Sequence, residues 1–181
     1  MRSLLTPDEE EQFWLLHSKT ADELFRKAYR MCGGHEADAY DALQETYLKV
    51  ALHWRKVCAL ESPQQRGWLT RTLTNEVLQM WRAPHRSREG TSFDSTVENP
   101  ALDTWSLSAR SEYHRVCRAI ARLQGREREV IGLHCLAGYE IREVAEILEI
   151  SASTVRVHVH NGRAHLREIL AAEGGDDDGG A

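Results

Sequence analysis

The sequence predicts an all-α protein of two small helical domains joined by a flexible acidic linker. Apolar residues recur at helical spacing through two long stretches, and no strand-like alternation persists outside 155–159. Between the stretches, residues 84–107 hold Pro84, Gly90, Pro100 and a run of Ser, Thr, Asp and Glu with no sustained period. The expected division is 1–83, 84–107, 108–170 and a disordered acidic tail, 171–181.

The first helix follows from Phe13, Leu16, Leu24, Phe25 and Ala28, and Gly33-Gly34 breaks it. Leu43, Tyr47, Val50, Ala51 and Trp54 then predict one amphipathic helix from 36 to about 60. Ser62-Pro63 opens the next helix, which runs to about Trp81 and stops before Ala83-Pro84. Beyond the linker, 108–123, 126–136, 140–148 and 153–170 read as four helices with short connections. The valines at 155, 157 and 159 alternate like a strand. Val155, Val159, Leu166 and Leu170 continue at helical spacing, which decides for helix.

Composition limits the function classes. In 181 residues, 41% are hydrophobic and 28% charged, a core-forming balance. No run approaches ~20 apolar residues, so a transmembrane helix is excluded. Residues 1–11 turn acidic before a signal core could form, so a cytoplasmic protein is expected. The net charge of −5 is unevenly spread: 66–88 carries +4 and 113–170 carries +2, while 1–65, 89–112 and 171–181 carry −3, −4 and −4. Two basic zones in an acidic frame suggest nucleic-acid contact that needs a partner's help.

Cys32, Cys58, Cys117 and Cys135 form no Cys-x-x-Cys pair and read as reduced packing residues. Cys32 with His35, and His134 with Cys135, each offer two ligands at most. His158 and His160 lie about 200° apart on a helix and cannot share an ion. No metal or cofactor is expected, and no nucleophile–base pair or carboxylate pair suggests catalysis.

The strongest motif spans 140–166. Ile141, Val144, Ala145 and Leu148 form one face of a short helix, Glu149-Ile150-Ser151 a turn, and Ser153-Thr154-Val155 the entry to a second helix. Ser151 or Ser153 can cap that helix. The first helix is acidic (Glu140, Glu143, Glu146), whereas the second carries Arg156, Arg163, Arg167, His158, His160 and His165. Such a helix-turn-helix suits the DNA major groove, with the early part of the second helix facing base edges. The candidate contacts are Ser151, Ser153, Thr154, Arg156, His158, His160 and Arg163. A second basic zone combines Arg66, Arg71, Arg82, Arg86 and Arg88 with Trp68 and Trp81. Arginines can hold a separated strand while aromatic groups receive unstacked bases. Trp68, the first apolar residue of its helix, reads more readily as core. Trp81 fits either role, and Asn75 fits a polar contact.

These motifs resemble bacterial sigma factors. Leu123-Gln124-Gly125-Arg126-Glu127-Arg128-Glu129-Val130 and the following helix-turn-helix resemble their region 4. The string Asp41-Ala42-Leu43-Gln44-Glu45-Thr46-Tyr47 looks like region 2.2, and 68–82 looks like regions 2.3–2.4. Two such domains and a short linker match the extracytoplasmic-function group, over about 20–170. The chain departs from the common pattern at Tyr40, Gln79, Gln124, Glu149 and Asn161-Gly162.

The resemblance implies that Asp41, Leu43, Gln44, Glu45 and Tyr47 grip the β′ clamp helices of RNA polymerase. It implies capture of the single-stranded −10 element by Arg66, Trp68, Arg71, Asn75, Trp81 and Arg82. Duplex at the −35 element would meet the second helix of region 4, with the β flap as that domain's polymerase partner. The linker would thread toward the polymerase active-site channel. An anti-sigma factor is a further possible partner, and the chain itself would not be an enzyme. The rival reading is a stand-alone helix-turn-helix regulator, which would need a sensory or dimerising N-terminal domain.

Overall fold

The computed structural model describes residues 4–83 and 106–174, which fall into two units. Most of the expected linker, 84–105, and the tail end, 175–181, lie outside the described residues. Among the described residues there is no strand.

The first unit holds α1 (Pro7–Met31), α2 (Glu36–Leu52), α3 (Trp54–Cys58) and α4 (Ser62–Arg82). A capping box starts α1: the Thr6 N–H donates to the Glu9 carboxylate at 2.8 Å, and the Thr6 hydroxyl receives the Glu9 N–H. The Thr6 N–H and hydroxyl, both donating to the Glu9 carboxylate, hold it below its ordinary pKa. At the other end, Gly33 and Gly34 adopt φ of 68° and 83°. The Gly34 N–H reaches the Tyr29 carbonyl at 2.8 Å and the Gly33 N–H that of Arg30 at 3.1 Å, so the turn satisfies the last carbonyls. His35 then caps α2.

Three long helices pack together around Leu24, Ala28, Ala42, Val50, Leu69, Leu73 and Val77. Phe13 packs edge-on against Tyr47 and Trp54, with ring centroids 6.0 and 5.9 Å away. The buried Tyr47 hydroxyl finds its partner in Thr20, at 2.7 Å. Lys49 on α2 meets the buried Glu76 carboxylate on α4, compensating a charge taken out of water.

The single helix expected from 36 to about 60 is in fact α2 and α3, separated at His53. Trp54 and Val57 stay buried across the break, so the apolar stripe continues in phase and conceals it.

The second unit holds α5 (Leu107–Arg122), α6 (Gly125–Ile131), a π-helical turn (Gly132–Leu136), α7 (Ile141–Leu148) and α8 (Ala152–Gly174). The helix expected over 126–136 is therefore α6 plus the π turn. α8 runs four residues beyond its expected end, so 171–174 are helix rather than tail. Ile120, Leu123 and Ile131 form a buried cluster, joined at its edge by Val116, Leu136, Leu166 and Ile169. Val130, Leu133, Val144 and Val155 are fully enclosed. Gly162 is buried because Ile131 lies against it: a Cβ there would stand 2.6 Å from Ile131 Cγ1. That missing side chain lets α6 and α8 approach closely. His165 on α8 and Glu127 on α6 pair at 2.7 Å, and Arg122 on α5 reaches Glu173 on α8 at 2.9 Å.

Candidate nucleic-acid interface

The helix-turn-helix is built from α7, a tight turn and α8. Glu149 ends α7 in the left-handed region at φ 55°, and the Ile150 N–H returns to the Ala145 carbonyl at 3.0 Å. A non-glycine residue in that conformation costs about 1–2 kcal/mol, offset here by the packing of the two helices. Of the two candidate caps, Ser151 serves: its Oγ accepts the Thr154 N–H at 3.0 Å. The same oxygen lies 2.7 Å from the hydroxyls of both Ser153 and Thr154. The three hydroxyls thus form one fixed polar group at the entrance to α8.

Val155, Val159 and Gly162 turn α8's inner side to the core. Ser153, Thr154, Arg156, His160 and Arg163 are exposed. At 100° per residue, Arg156, His160, Arg163 and Arg167 fall within an arc of about 60°, a continuous basic edge. Arg163 has a second attachment. Desolvation raises the Cys135 thiol pKa, and an interaction with the Arg163 guanidinium opposes the rise. The expected contact His158 departs from this face. It is half-buried, and its Nδ1 is enclosed without a hydrogen-bond partner. His165 is also withdrawn, into the pair with Glu127 that raises its pKa. Sequence reasoning passed over Val157, which stands outward among the polar residues with 56% of its surface exposed.

In the first unit, α4 carries Arg66, Arg71, Asn75 and Arg82 exposed. Arg71, Asn75 and Arg82, with Gln79, recur at i, i+4, i+8 and i+11, a narrow polar stripe along the helix. Trp68 and Trp81 are half-buried. The Trp68 ring sits 6.3 Å from His53 at the α2–α3 break, so it is partly committed to the fold.

On α2, Asp41, Gln44 and Glu45 share an exposed face, while Leu43 and Tyr47 turn inward at 8% and 6% exposure. The last two are core residues and do not belong to that face. Leu48 and Leu52, unremarked in the sequence reading, are exposed on it instead, together with Tyr40, noted there only as a departure from the family pattern. Leu48 and Leu52 lie off the buried stripe of α2, a signal the sequence did carry.

Among the described residues no group of three or more His, Cys, Asp or Glu side chains is placed to hold a metal ion, and no helix is long and apolar enough to cross a membrane.

The family model for sigma-70 region 2 matches residues 16–88, and that for sigma-70 region 4 matches 113–166. The chain belongs to the sigma-70 family. It is 31% identical over 157 residues to the ECF RNA polymerase sigma factor SigE of Mycolicibacterium smegmatis, an alignment covering 83% of this chain and 58% of that protein. With the ECF RNA polymerase sigma factor SigW of Bacillus subtilis it shares 26% identity, covering 82% of this chain and 83% of the relative. The fold of this family member is also similar to two solved structures. One is CnrH in complex with the cytosolic domain of CnrY, at TM-score 0.55 and 24% identity, covering 90% of each chain. The other is the sigma factor RpoE in complex with the anti-sigma factor NepR from Bartonella quintana, at TM-score 0.54 and 24% identity, covering 92% of this chain and 98% of that one.

Proposed function

We propose that this sigma-70 family member binds core RNA polymerase in the cytoplasm and directs it to promoters, opening the DNA without being an enzyme itself. The observation that carries this reading is the pairing, in order along one chain, of a region 2 unit and a region 4 unit whose α8 presents a basic outward face. α8 docks in the duplex major groove at the −35 element, through Ser153, Arg156, His160 and Arg163. α4 holds the separated −10 strand along Arg71, Asn75 and Arg82, with Trp81 available for base stacking. The Asp41–Gln44–Glu45 face of α2, with its exposed Leu48 and Leu52, takes the β′ clamp helices, and region 4 takes the β flap. Polymerase supplies the catalysis. An anti-sigma factor is a further partner in this reading, suggested by the complex in which RpoE was solved. The match of region 2 to 16–88 disfavours a stand-alone regulator, which would carry a sensory or dimerising domain there.

The test is to mix the purified chain with core polymerase and transcribe genomic fragments. Co-elution and promoter-specific transcripts are expected; a chain that never co-elutes with core polymerase overturns the reading. Replacing Asp41 and Gln44 together by alanine should weaken polymerase binding at unchanged circular dichroism, because both side chains are exposed.

A further inference from the structure

We infer that Val157 is a specificity-determining contact of α8, reading the 5-methyl group of a thymine in the duplex on which α8 docks. This rests on the reading that α8 enters a major groove. Among the described residues of the second unit, Val157 is the one large hydrophobic side chain left this exposed. Its position is the opposite of a core position: Val155 and Val159, on either side, are buried, and Val157 lies about 200° around the helix from Val155. Ser153, one turn earlier, and His160, nearly one turn later, flank it on the outward face, with Arg156 beside it.

A β-branched residue on an exposed helical surface loses side-chain freedom there and gains nothing from water. Its single preferred rotamer makes it a stiff apolar knob. The major groove offers one apolar group among its base edges, the thymine methyl, and aliphatic side chains recognise it by contact. Ser153 and Arg156, which flank it, are polar readers instead. The Ser153 hydroxyl is held by Ser151 at 2.7 Å, and Arg156 is a hydrogen-bond donor suited to guanine acceptors. The face therefore combines an apolar reader with an adjacent arginine, which selects a thymine next to a guanine-bearing position.

The experiment uses the full-length chain assembled with core RNA polymerase. The upstream duplex element it prefers is first selected from a randomised library, and each thymine in that element is then replaced by deoxyuridine, which lacks only the methyl group. One replacement should weaken binding about fourfold, the scale expected for one buried methyl-sized group. With Val157→Ala, that thymine and deoxyuridine should bind equally, while the melting temperature stays at the wild-type value because the side chain is exposed. If every deoxyuridine replacement is neutral for the wild type, or the penalty persists in Val157→Ala, the assignment of Val157 is overturned. A wild type that selects no element at all overturns the docking of α8 as well, a result distinct from a selected element that is blind to the methyl group.

Discussion

The two basic helices, α4 and α8, solve opposite packing problems. α4 buries Leu69, Leu73, Thr74, Glu76, Val77 and Leu78 against α1 and α2, leaving from Arg71 onward a narrow outward stripe of Arg71, Asn75, Gln79 and Arg82. Over its first three turns α8 buries only Val155, Val159 and Gly162, and most of its circumference faces outward. A narrow stripe on a well-anchored helix suits a chain laid along it, such as a separated strand. A broad exposed face at the start of a helix suits insertion into a groove. Similar counts of arginine in two helices thus acquire different uses from how much of each helix the core claims.

The largest expected effect separates the two sides of α4. Leu73→Ala removes a fully buried side chain and should destabilise the first unit by about 2–5 kcal/mol. Arg71→Ala, two residues earlier and exposed, should change stability by less than about 0.5 kcal/mol. Urea unfolding followed by tryptophan fluorescence reads this difference, since Trp54 is buried in that unit. Equal losses would show that the core and the stripe are not separate.

On α8 the comparison is between two arginines of the same edge. Arg156→Ala should lower affinity for the −35 element by about 1–3 kcal/mol, the scale of one good base contact. Arg163→Ala should cost less, because its guanidinium also interacts with Cys135. Competition binding by the polymerase complex, on intact and mutated upstream elements, measures both. A loss for Arg156→Ala that persists on the mutated element would move Arg156 from base reading to phosphate contact.

Most helices were legible because the apolar period is strong, and the turns at Gly33-Gly34 and Glu149 lay where the pattern broke. What stayed hidden has physical reasons. The break at His53 has neither proline nor glycine, and Trp54 and Val57 keep the stripe in phase across it. Leu43 and Tyr47 belong to a motif that reads as a surface, yet only its polar members reach solvent: the aromatic cluster around Phe13 and the Thr20 hydroxyl claim Tyr47. The three histidines of α8 look alike in sequence, and only the register of the helix against α6 and α7 sends His160 outward, His165 to Glu127 and His158 partly inward.

That register depends on Gly162, which supplies the third prediction. Gly162→Ala brings a Cβ within 2.6 Å of Ile131 Cγ1. Overpacking of this kind costs about 1–3 kcal/mol, and the gain in helix propensity over glycine returns about 1 kcal/mol. A net loss of about 1 kcal/mol is expected in the stability of the second unit, read by chemical denaturation. Because the clash is with one side chain, Gly162→Ala combined with Ile131→Ala should lose less than the sum of the two single changes. Additive losses would mean that the glycine serves something other than the close approach of α6.

The smallest effect is a pH dependence that α8 should have and α4 should lack. The hydrogen bond from His165 to the Glu127 carboxylate, chiefly, raises the imidazole pKa above its ordinary 6.5 in the folded chain, and the charge of Glu168 adds to the rise. The folded state therefore binds this proton more tightly than the unfolded chain does. The pair's contribution is fully present below pH 6.5 and is lost as pH rises through the elevated folded value. The imidazole is open to solvent, so the contribution is modest and weakens with salt. Glu127→Gln should bring the imidazole titration, followed by NMR, back toward its ordinary range. It should also remove the fall in second-unit stability between neutral and mildly alkaline pH. His165→Gln should remove the same slope, while Lys49→Gln, which breaks the α2–α4 ion pair, should leave it in place. If the slope survives in both Glu127→Gln and His165→Gln, the pair contributes nothing to holding α8 on α6, and the close packing at Gly162 carries that contact alone.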